Sequence, residues 1–265
     1  MIVGLERAAP REVTRDRMEI FGEVEGSNYR AVIGGGVMLK LKWVWVAVLV
    51  VLLGGAGALA SGSNDYRSGA TILSLNRPKG GTISYSSDTV DWYKVYVPES
   101  GVFVVFMDGY QEKDIDLYLY NAAGDLLAQD ISVSEDGVVY GRVAGGWYYI
   151  KIKAAFSSYG SIDYDIGALF DDHSTGYLRS TESVNFHSLY MSASRVYWIF
   201  LVDTAGFFDP DLFLAYGDEV LASSRSTGNI DVIKWYPSFS GTYIVAAGSA
   251  QGSGHYYILV GSKTR

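Results

Sequence analysis

Asp114-Ile115-Asp116-Leu117-Tyr118-Leu119-Tyr120 returns 95 residues later as Asp209-Pro210-Asp211-Leu212-Phe213-Leu214-Ala215. Each copy opens on two carboxylates and then alternates. Side chains two apart on a strand share a face, so Leu117 and Leu119 point to a core while Asp114, Asp116, Tyr118 and Tyr120 point away from it. The same offset carries Gly146-Trp147-Tyr148-Tyr149-Ile150 onto Gly241-Thr242-Tyr243-Ile244-Val245, and Asp136 to Tyr140 onto Asp231 to Trp235. Upstream it slips to 94, laying the stretch from Val90 to Val97 over that from Val184 to Met191, as a one-residue loop insertion would. The closing Asp163-Tyr164-Asp165-Ile166 finds its counterpart in His255-Tyr256-Tyr257-Ile258. The chain therefore reads as a duplication of a unit of roughly a hundred residues, the size of one β-sandwich.

Composition agrees with an all-β reading. Thirty-one glycines, 21 tyrosines and only five prolines punctuate β-branched and aromatic runs. With 49% hydrophobic and 19% charged residues the chain belongs to the folding class, not the disordered one. Cysteine is absent, so disulfides contribute nothing. From Ser61 onward 14 Lys and Arg stand against 23 Asp and Glu, a net charge of −9 that repels phosphate backbones and argues against nucleic acid as a partner.

Residues 1–37 mix charges without an apolar face and read as a non-native or disordered extension. Residues 38–60 read as a secretory signal: Met38-Leu39-Lys40-Leu41-Lys42, eleven apolar residues over 43–53, then a glycine-rich turn and Ala58-Leu59-Ala60 before Ser61. The alternative is an uncleaved anchor, since residues 43–60 just reach spanning length. Either way the basic residues precede the apolar run, and the rest belongs outside the membrane. Residues 61–68 read as a linker or lead-in strand, 69–168 as the first sandwich and 169–261 as the second, joined near Leu169 to Ser174. Within the first unit, strands are expected at 82–85, 92–97, 102–107, 116–120, 126–129, 138–143, 147–153 and 164–168, the spacing of a sandwich or jelly roll.

Several motifs together resemble the bacterial and archaeal pre-peptidase C-terminal domain. These are Asp91-x-Tyr93-x-Val95-x-Val97, Asp-x-Asp-Leu-x-Leu over 114–119, Gly124-x-Leu126-Leu127-Ala128, Gly-Gly-x-Tyr over 145–148 and the closing Tyr164. The second unit keeps Asp209-Pro210-Asp211-Leu212-Phe213-Leu214, Val220-Leu221-Ala222 and Ser240-Gly241-Thr242-Tyr243, but its early strand has lost the aspartate. The resemblance implies small β-sandwiches of the kind appended to secreted peptidases and often removed on maturation, with relatives that bind collagen, polysaccharide or calcium. No peptidase accompanies the two units in this sequence, so the accessory role does not carry over.

Catalytic signatures are missing. The three histidines, His173, His187 and His255, accompany no Gly-x-Ser-x-Gly elbow and no His-Glu-x-x-His. Asp203-Thr204-Ala205-Gly206 falls short of an aspartic protease signature and reads as a turn. Two carboxylate sets, Asp108, Asp114 and Asp116, and Asp203, Asp209 and Asp211, are candidates for a calcium site at one end of each sandwich, which would need carbonyls and water to complete a shell of six to eight oxygens. The alternative is that they accept backbone N–H bonds at turns. Asp171-Asp172-His173 is a weaker metal candidate. The candidate ligand platform is aromatic: of Trp92, Tyr96, Tyr118, Tyr120, Trp147 and Tyr149, alternation sets some outward, where rings stack on sugar or peptide faces. The alternative is that they pack in the core or between domains, since both faces of these strands carry apolar residues.

The expected function is therefore a secreted or cell-surface, non-catalytic protein that binds an extracellular polysaccharide or protein. The alternatives are a structural envelope or chaperone-like component packed on a partner chain, and a divergent hydrolase. Residues 34–37, Gly-Gly-Gly-Val, are encodable by a purine-rich ribosome-binding sequence just ahead of Met38, which also begins a signal of ordinary length. Translation is expected to start at Met38 and the mature chain at Ser61. N-terminal sequencing from the native host checks both: peptides between Arg17 and Arg30 would refute the late start, and 43–60 retained in membranes would replace secretion with anchoring.

Overall fold

The computed structural model describes residues 64–110, 113–134, 136–155, 160–171, 174–181, 183–206 and 208–265. The expected extension and signal or anchor, and Asp172 and His173, lie outside them. Among the described residues no helix is long and apolar enough to cross a membrane.

The described chain is all-β, with a single 3-10 turn at Arg67–Gly69. One five-stranded sheet runs in the order β1 (Thr71–Ile72), β3 (Val90–Val97), β8 (Gly146–Ala154), β5 (Ile115–Asn121), β6 (Leu126–Asp130). It faces a four-stranded sheet ordered β2 (Lys79–Ser84), β9 (Ser161–Phe170), β4 (Gly101–Gly109), β7 (Asp136–Val143). Alternation sends Tyr93, Val95, Leu117, Leu119, Ile150 and Ile152 inward from the first sheet to meet Phe103, Val105, Met107, Ile162 and Ile166 from the second. All eight strands expected for this half are present. The segment read as a linker or lead-in strand continues into β1, which lies parallel to β3.

The second half has the same plan. A sheet ordered β10 (Ser174–Leu178), β17 (Gly254–Thr264), β12 (Arg195–Val202), β15 (Ile230–Trp235) packs on one ordered β11 (Val184–Met191), β16 (Gly241–Gln251), β13 (Asp209–Tyr216), β14 (Glu219–Ser224). Its core gathers Ile199, Leu201, Leu212, Leu214, Val245 and Ile258. Leu169, placed by sequence at the head of the second unit, instead lies in β9, and β17 continues past Gly261 to Thr264.

Both faces of β4 and β12 are buried. Phe103, Val105 and Met107 face the first core, while Val102, Val104 and Phe106 face away from it and meet Val196, Trp198, Phe200 and Val202 of β12, joined by Val138, Leu169, Ile230 and Leu259. This third cluster makes the molecule a stack of four sheets. The ring of Phe106 lies 5.3 Å from that of Trp198 and 5.2 Å from that of Phe200. Burying one such side chain is worth about 1.5–3 kcal/mol.

A row of three carboxylates, Asp136, Asp108 and Asp165 on neighbouring strands, ends this layer. Asp108 accepts from Trp198 Nε1 at 2.6 Å and pairs with Lys234 Nζ at 2.6 Å, while the fully buried Asp165 pairs with Lys263 and accepts from the Tyr110 hydroxyl. Burial works against the charge on Lys234, but Asp108 outweighs it and raises the lysine pKa. Arg142 also donates to the Tyr257 hydroxyl at 2.7 Å.

Each core holds one polar network. In the first, the Tyr164 hydroxyl donates to Asp91 and lies 2.8 Å from the Tyr93 hydroxyl; in the second, Tyr256 meets His187 Nε2 at 2.7 Å, and His187 Nδ1 meets Ser174 Oγ at 2.8 Å. Glycine makes room for both rings. A Cβ on Gly81 would come within 2.5 Å of Tyr93 and Tyr164, and one on Gly176 within 2.2 Å of the Tyr256 hydroxyl.

Three outcomes are expected. Asp108→Ala should cost roughly 2–4 kcal/mol in urea unfolding, because it strands a buried indole N–H and a half-buried lysine; a cost under about 1 kcal/mol would mean that water already screens the pair. Gly176→Ala should cost about 1–3 kcal/mol by overpacking. Burial, Asp91 and Asp65 together raise the Asp88 pKa to about 6. A raised carboxyl stabilises the fold at low pH and loses that contribution as pH climbs from its ordinary value through 6. Asp88→Asn should therefore raise Tm at pH 7 and leave it unchanged only well below pH 3.8, where the carboxyl is protonated in both states.

Candidate functional site

All six aromatics singled out in the sequence lie on one surface, the outer face of the five-stranded sheet. The cause is parity: Trp92 and Tyr96 on β3, Tyr118 and Tyr120 on β5, and Trp147 and Tyr149 on β8 each alternate with buried residues. Register then aligns them. Trp92 is opposite Lys151, which is opposite Tyr118; Lys94 is opposite Tyr149, which is opposite Tyr120; and Tyr96 is opposite Trp147. The rings form two clusters, Trp92 with Tyr120 at 5.3 Å between centroids and Tyr96 with Trp147 at 5.4 Å. Tyr96 and Trp147 are 51% and 42% exposed, while the other four are half-buried.

Between the rings stand cations that an eye on the aromatics alone misses. Lys151 lies 5.8 Å from the centre of the Trp92 ring and 5.4 Å from that of Tyr118, and Lys94 approaches Trp147 at 6.0 Å. Lys153 faces the same way on β8, opposite Asp116. Arg67 stacks 4.1 Å above Tyr149 and donates to the carbonyls of Asn121 and Ala122, holding the lead-in segment against the β5–β6 hairpin. Burial lowers the Lys151 pKa, Lys153 adds to the effect and Asp116 opposes it. Lys94, Lys151 and Lys153 have the same parity as the aromatics, a signal present in the sequence. The face is thus a tilted aromatic surface with positive charge set into it, on a chain whose net charge is −8.

The two aspartate sets are dispersed. Asp108 ties the two sandwiches together. Asp114 and Asp116 are close enough to interact: burial and then Asp116 raise the Asp114 pKa, and Asp116 accepts from the Tyr118 hydroxyl at 3.0 Å. Asp203 accepts from the backbone N–H of Ala205 at 2.7 Å and of Phe208 at 3.2 Å, the turn-capping alternative. Asp209 accepts from Gly228 N–H at 3.1 Å. The Asp211 pKa is raised to about 6 by burial and by Asp231, with Arg225 opposing. Among the described residues no three His, Cys, Asp or Glu side chains converge closely enough to hold an ion. The reason is that β4 turns Asp108 toward the other sandwich while β5 presents Asp116 on the opposite side of its own sandwich.

The other chemical candidates have structural roles. His187 belongs to the buried tyrosine network, and the ring of His255 packs edge-on against Tyr177 at 4.8 Å. Asp203-Thr204-Ala205-Gly206 is a turn with Gly206 at φ 72°. Asp171 accepts from Val102 N–H at 2.9 Å. A cleft of about 310 Å³ opens between the sandwiches, lined by Phe106, Asp108, Asp136, Trp198, Phe200 and Lys234.

The chain matches no family model, and no curated protein is similar to it in sequence. Solved structures are similar in part. The pre-peptidase C-terminal domain of collagenase from Bacillus anthracis is 14% identical over 37% of this chain and 93% of its own, with a TM-score of 0.34. A tail fibre protein of an E. coli phage is 8% identical over 73% of this chain and 41% of its own, at 0.30. The N-terminal CBM22-1-CBM22-2 tandem domain of Paenibacillus barcinonensis Xyn10C is 7% identical over 73% of this chain and 99% of its own, at 0.22. These likenesses are too distant to carry any residue's role to this chain.

Proposed function

We propose that the chain is an exported, non-catalytic binding protein, built from two copies of one sandwich module, that holds an acidic extracellular polysaccharide on the outer face of its five-stranded sheet. The observation that carries this reading is the gathering of Trp92, Tyr96, Tyr118, Tyr120, Trp147 and Tyr149 on a single face with Lys94, Lys151 and Lys153 among them. Sugar rings present apolar C–H faces that stack on indole and phenol rings, and carboxylate or sulfate substituents pair with ammonium groups. Tyr96 and Trp147 supply the accessible rings. A sheet face is rigid, so little ordering cost is added on binding. Export rests on the apolar 43–53 stretch and the small residues that follow it.

Affinity electrophoresis through gels cast with an acidic or a neutral polysaccharide tests the proposal. Migration is expected to slow in the acidic gel and recover as salt is added, since the cationic contacts are screened. Trp147→Ala and Tyr96→Ala should each weaken binding by about tenfold, the equivalent of one stacking contact, with Tm unchanged. Unretarded migration in every gel would overturn the reading.

A further inference from the structure

The two sandwiches differ at one edge. In the first, the edge of β3 is covered: Asn64 carbonyl accepts from Trp92 N–H at 2.8 Å, Leu73 N–H donates to the Lys94 carbonyl at 2.8 Å, and β1 pairs alongside. Backbone groups of alternate residues point to opposite sides of a strand, so Trp92 and Lys94 direct theirs to that edge while Tyr93 and Val95 bond to β8. β11 holds the corresponding place in the second sandwich, in corresponding register, with Tyr93 opposite Ile150 in one and His187 opposite Val245 in the other. The residues of β11 that direct their backbone groups outward are therefore Val184, Phe186, Ser188 and Tyr190. Among the described residues no strand pairs with that edge. Nor is there chain to do so between the two halves, since Phe170 ends β9 and Ser174 begins β10.

The open edge is apolar and uncharged. Phe186 is 71% and Tyr190 67% exposed, and Val184 is exposed beside them. Strand edges exposed to solvent ordinarily carry a lysine, a proline or another charge that discourages pairing, and Val184–Met191 has none. The sheet face behind it has changed in the same sense. Where β3 and β8 present Lys94, Lys151 and Lys153, the corresponding positions on β11 and β16 are Ser188, Ala246 and Gly248. A chain with a net charge of −8 repels its own copies, so a self-contact belongs on a surface without charge.

The geometry points to a second copy of this chain as the occupant, with β11 pairing antiparallel to β11 of the other copy about a two-fold axis at Ser188. The strand is symmetric about that residue: Phe186 and Tyr190 stand two positions to either side. Antiparallel pairing centred on Ser188 sets Phe186 of each copy opposite Tyr190 of the other, on the same sheet face, and Ser188 opposite Ser188. All three pairs use backbone groups that already point outward, and aromatic pairs across strands are favourable. The two four-stranded sheets become one continuous sheet of eight, an isologous contact that uses up this edge in both copies and so closes at the dimer.

Ser188→Cys reads the register directly, because the native chain has no cysteine. Opposed residues of a hydrogen-bonded antiparallel pair have Cα atoms about 5.5 Å apart, within disulfide reach. The full chain, kept in mild detergent if its apolar segment requires it, should sediment as a dimer at micromolar concentration. Ser188→Cys should form a cross-linked dimer under mild oxidation about tenfold faster than Ser100→Cys, which lies in the exposed bend between β3 and β4 of the first sandwich. Phe186→Lys should convert dimer to monomer without lowering Tm of the monomer, since that side chain is solvent-facing. A wild-type chain that stays monomeric at about 50 µM, well above the micromolar dissociation constant expected, would overturn the proposal, as would a Ser188→Cys rate no greater than that of Ser100→Cys.

Discussion

The burial of β4 and β12 on both faces is the constraint on which the rest of the structure depends. A strand in a two-layer sandwich buries one face and wets the other, whereas Val102 to Met107 and Val196 to Val202 bury every residue. Once the inner sheets of both halves are covered, only the two outer sheets remain free to meet solvent or a partner. The contact is also directional. Dispersion among Phe106, Trp198 and Phe200 would tolerate sliding, but Asp108 held by Trp198 and Lys234, and Asp165 held by Lys263, set one alignment of the two halves. A buried carboxylate moved off its lysine loses more than a displaced methyl group does.

The two outer faces differ within one plan. Positions that carry Lys94, Tyr149 and Lys151 in the first half carry Ser188, Ile244 and Ala246 in the second. One face sets lysines among its rings, while the other has small and apolar side chains at the same positions. The covered and uncovered edges follow the same division. Residues 64–73 close the first sandwich at β3 and set Arg67 over Tyr149, so the element that protects that edge also shapes the aromatic surface. The core networks differ likewise, with Asp91 beside Tyr164 in one half and His187 beside Tyr256 in the other.

Much of this is legible in the sequence, and the residues say why. Period-two alternation from Trp92 to Val97 and from Trp147 to Lys153 sorts side chains onto two faces, but both faces carry apolar residues, so parity groups the aromatics without choosing which face is outward; burial in the fold makes that choice. The lysines of the same parity are equally readable, but the rings draw attention away from them. The continuous apolar runs at Val102 and Val196 carry a second signal, burial on two sides. Read only as strands, they conceal the contact between the sandwiches, and Asp108 is then grouped with Asp114 and Asp116 and not with Trp198 and Lys234.

The sequence by itself determined the strands, which side chains share a face and the common plan of the two halves, because these are local properties of a chain with a period of two. Tertiary structure decided what each outward residue meets. Asp108 and Asp116 both follow strand rules, yet one is held by a lysine 126 positions away and the other by a tyrosine two positions away. Such pairings depend on how separate sheets stack, and the free energy that selects one stacking is spread over contacts distant in sequence. Local pattern specifies a face, and only the packing of whole sheets specifies what that face touches.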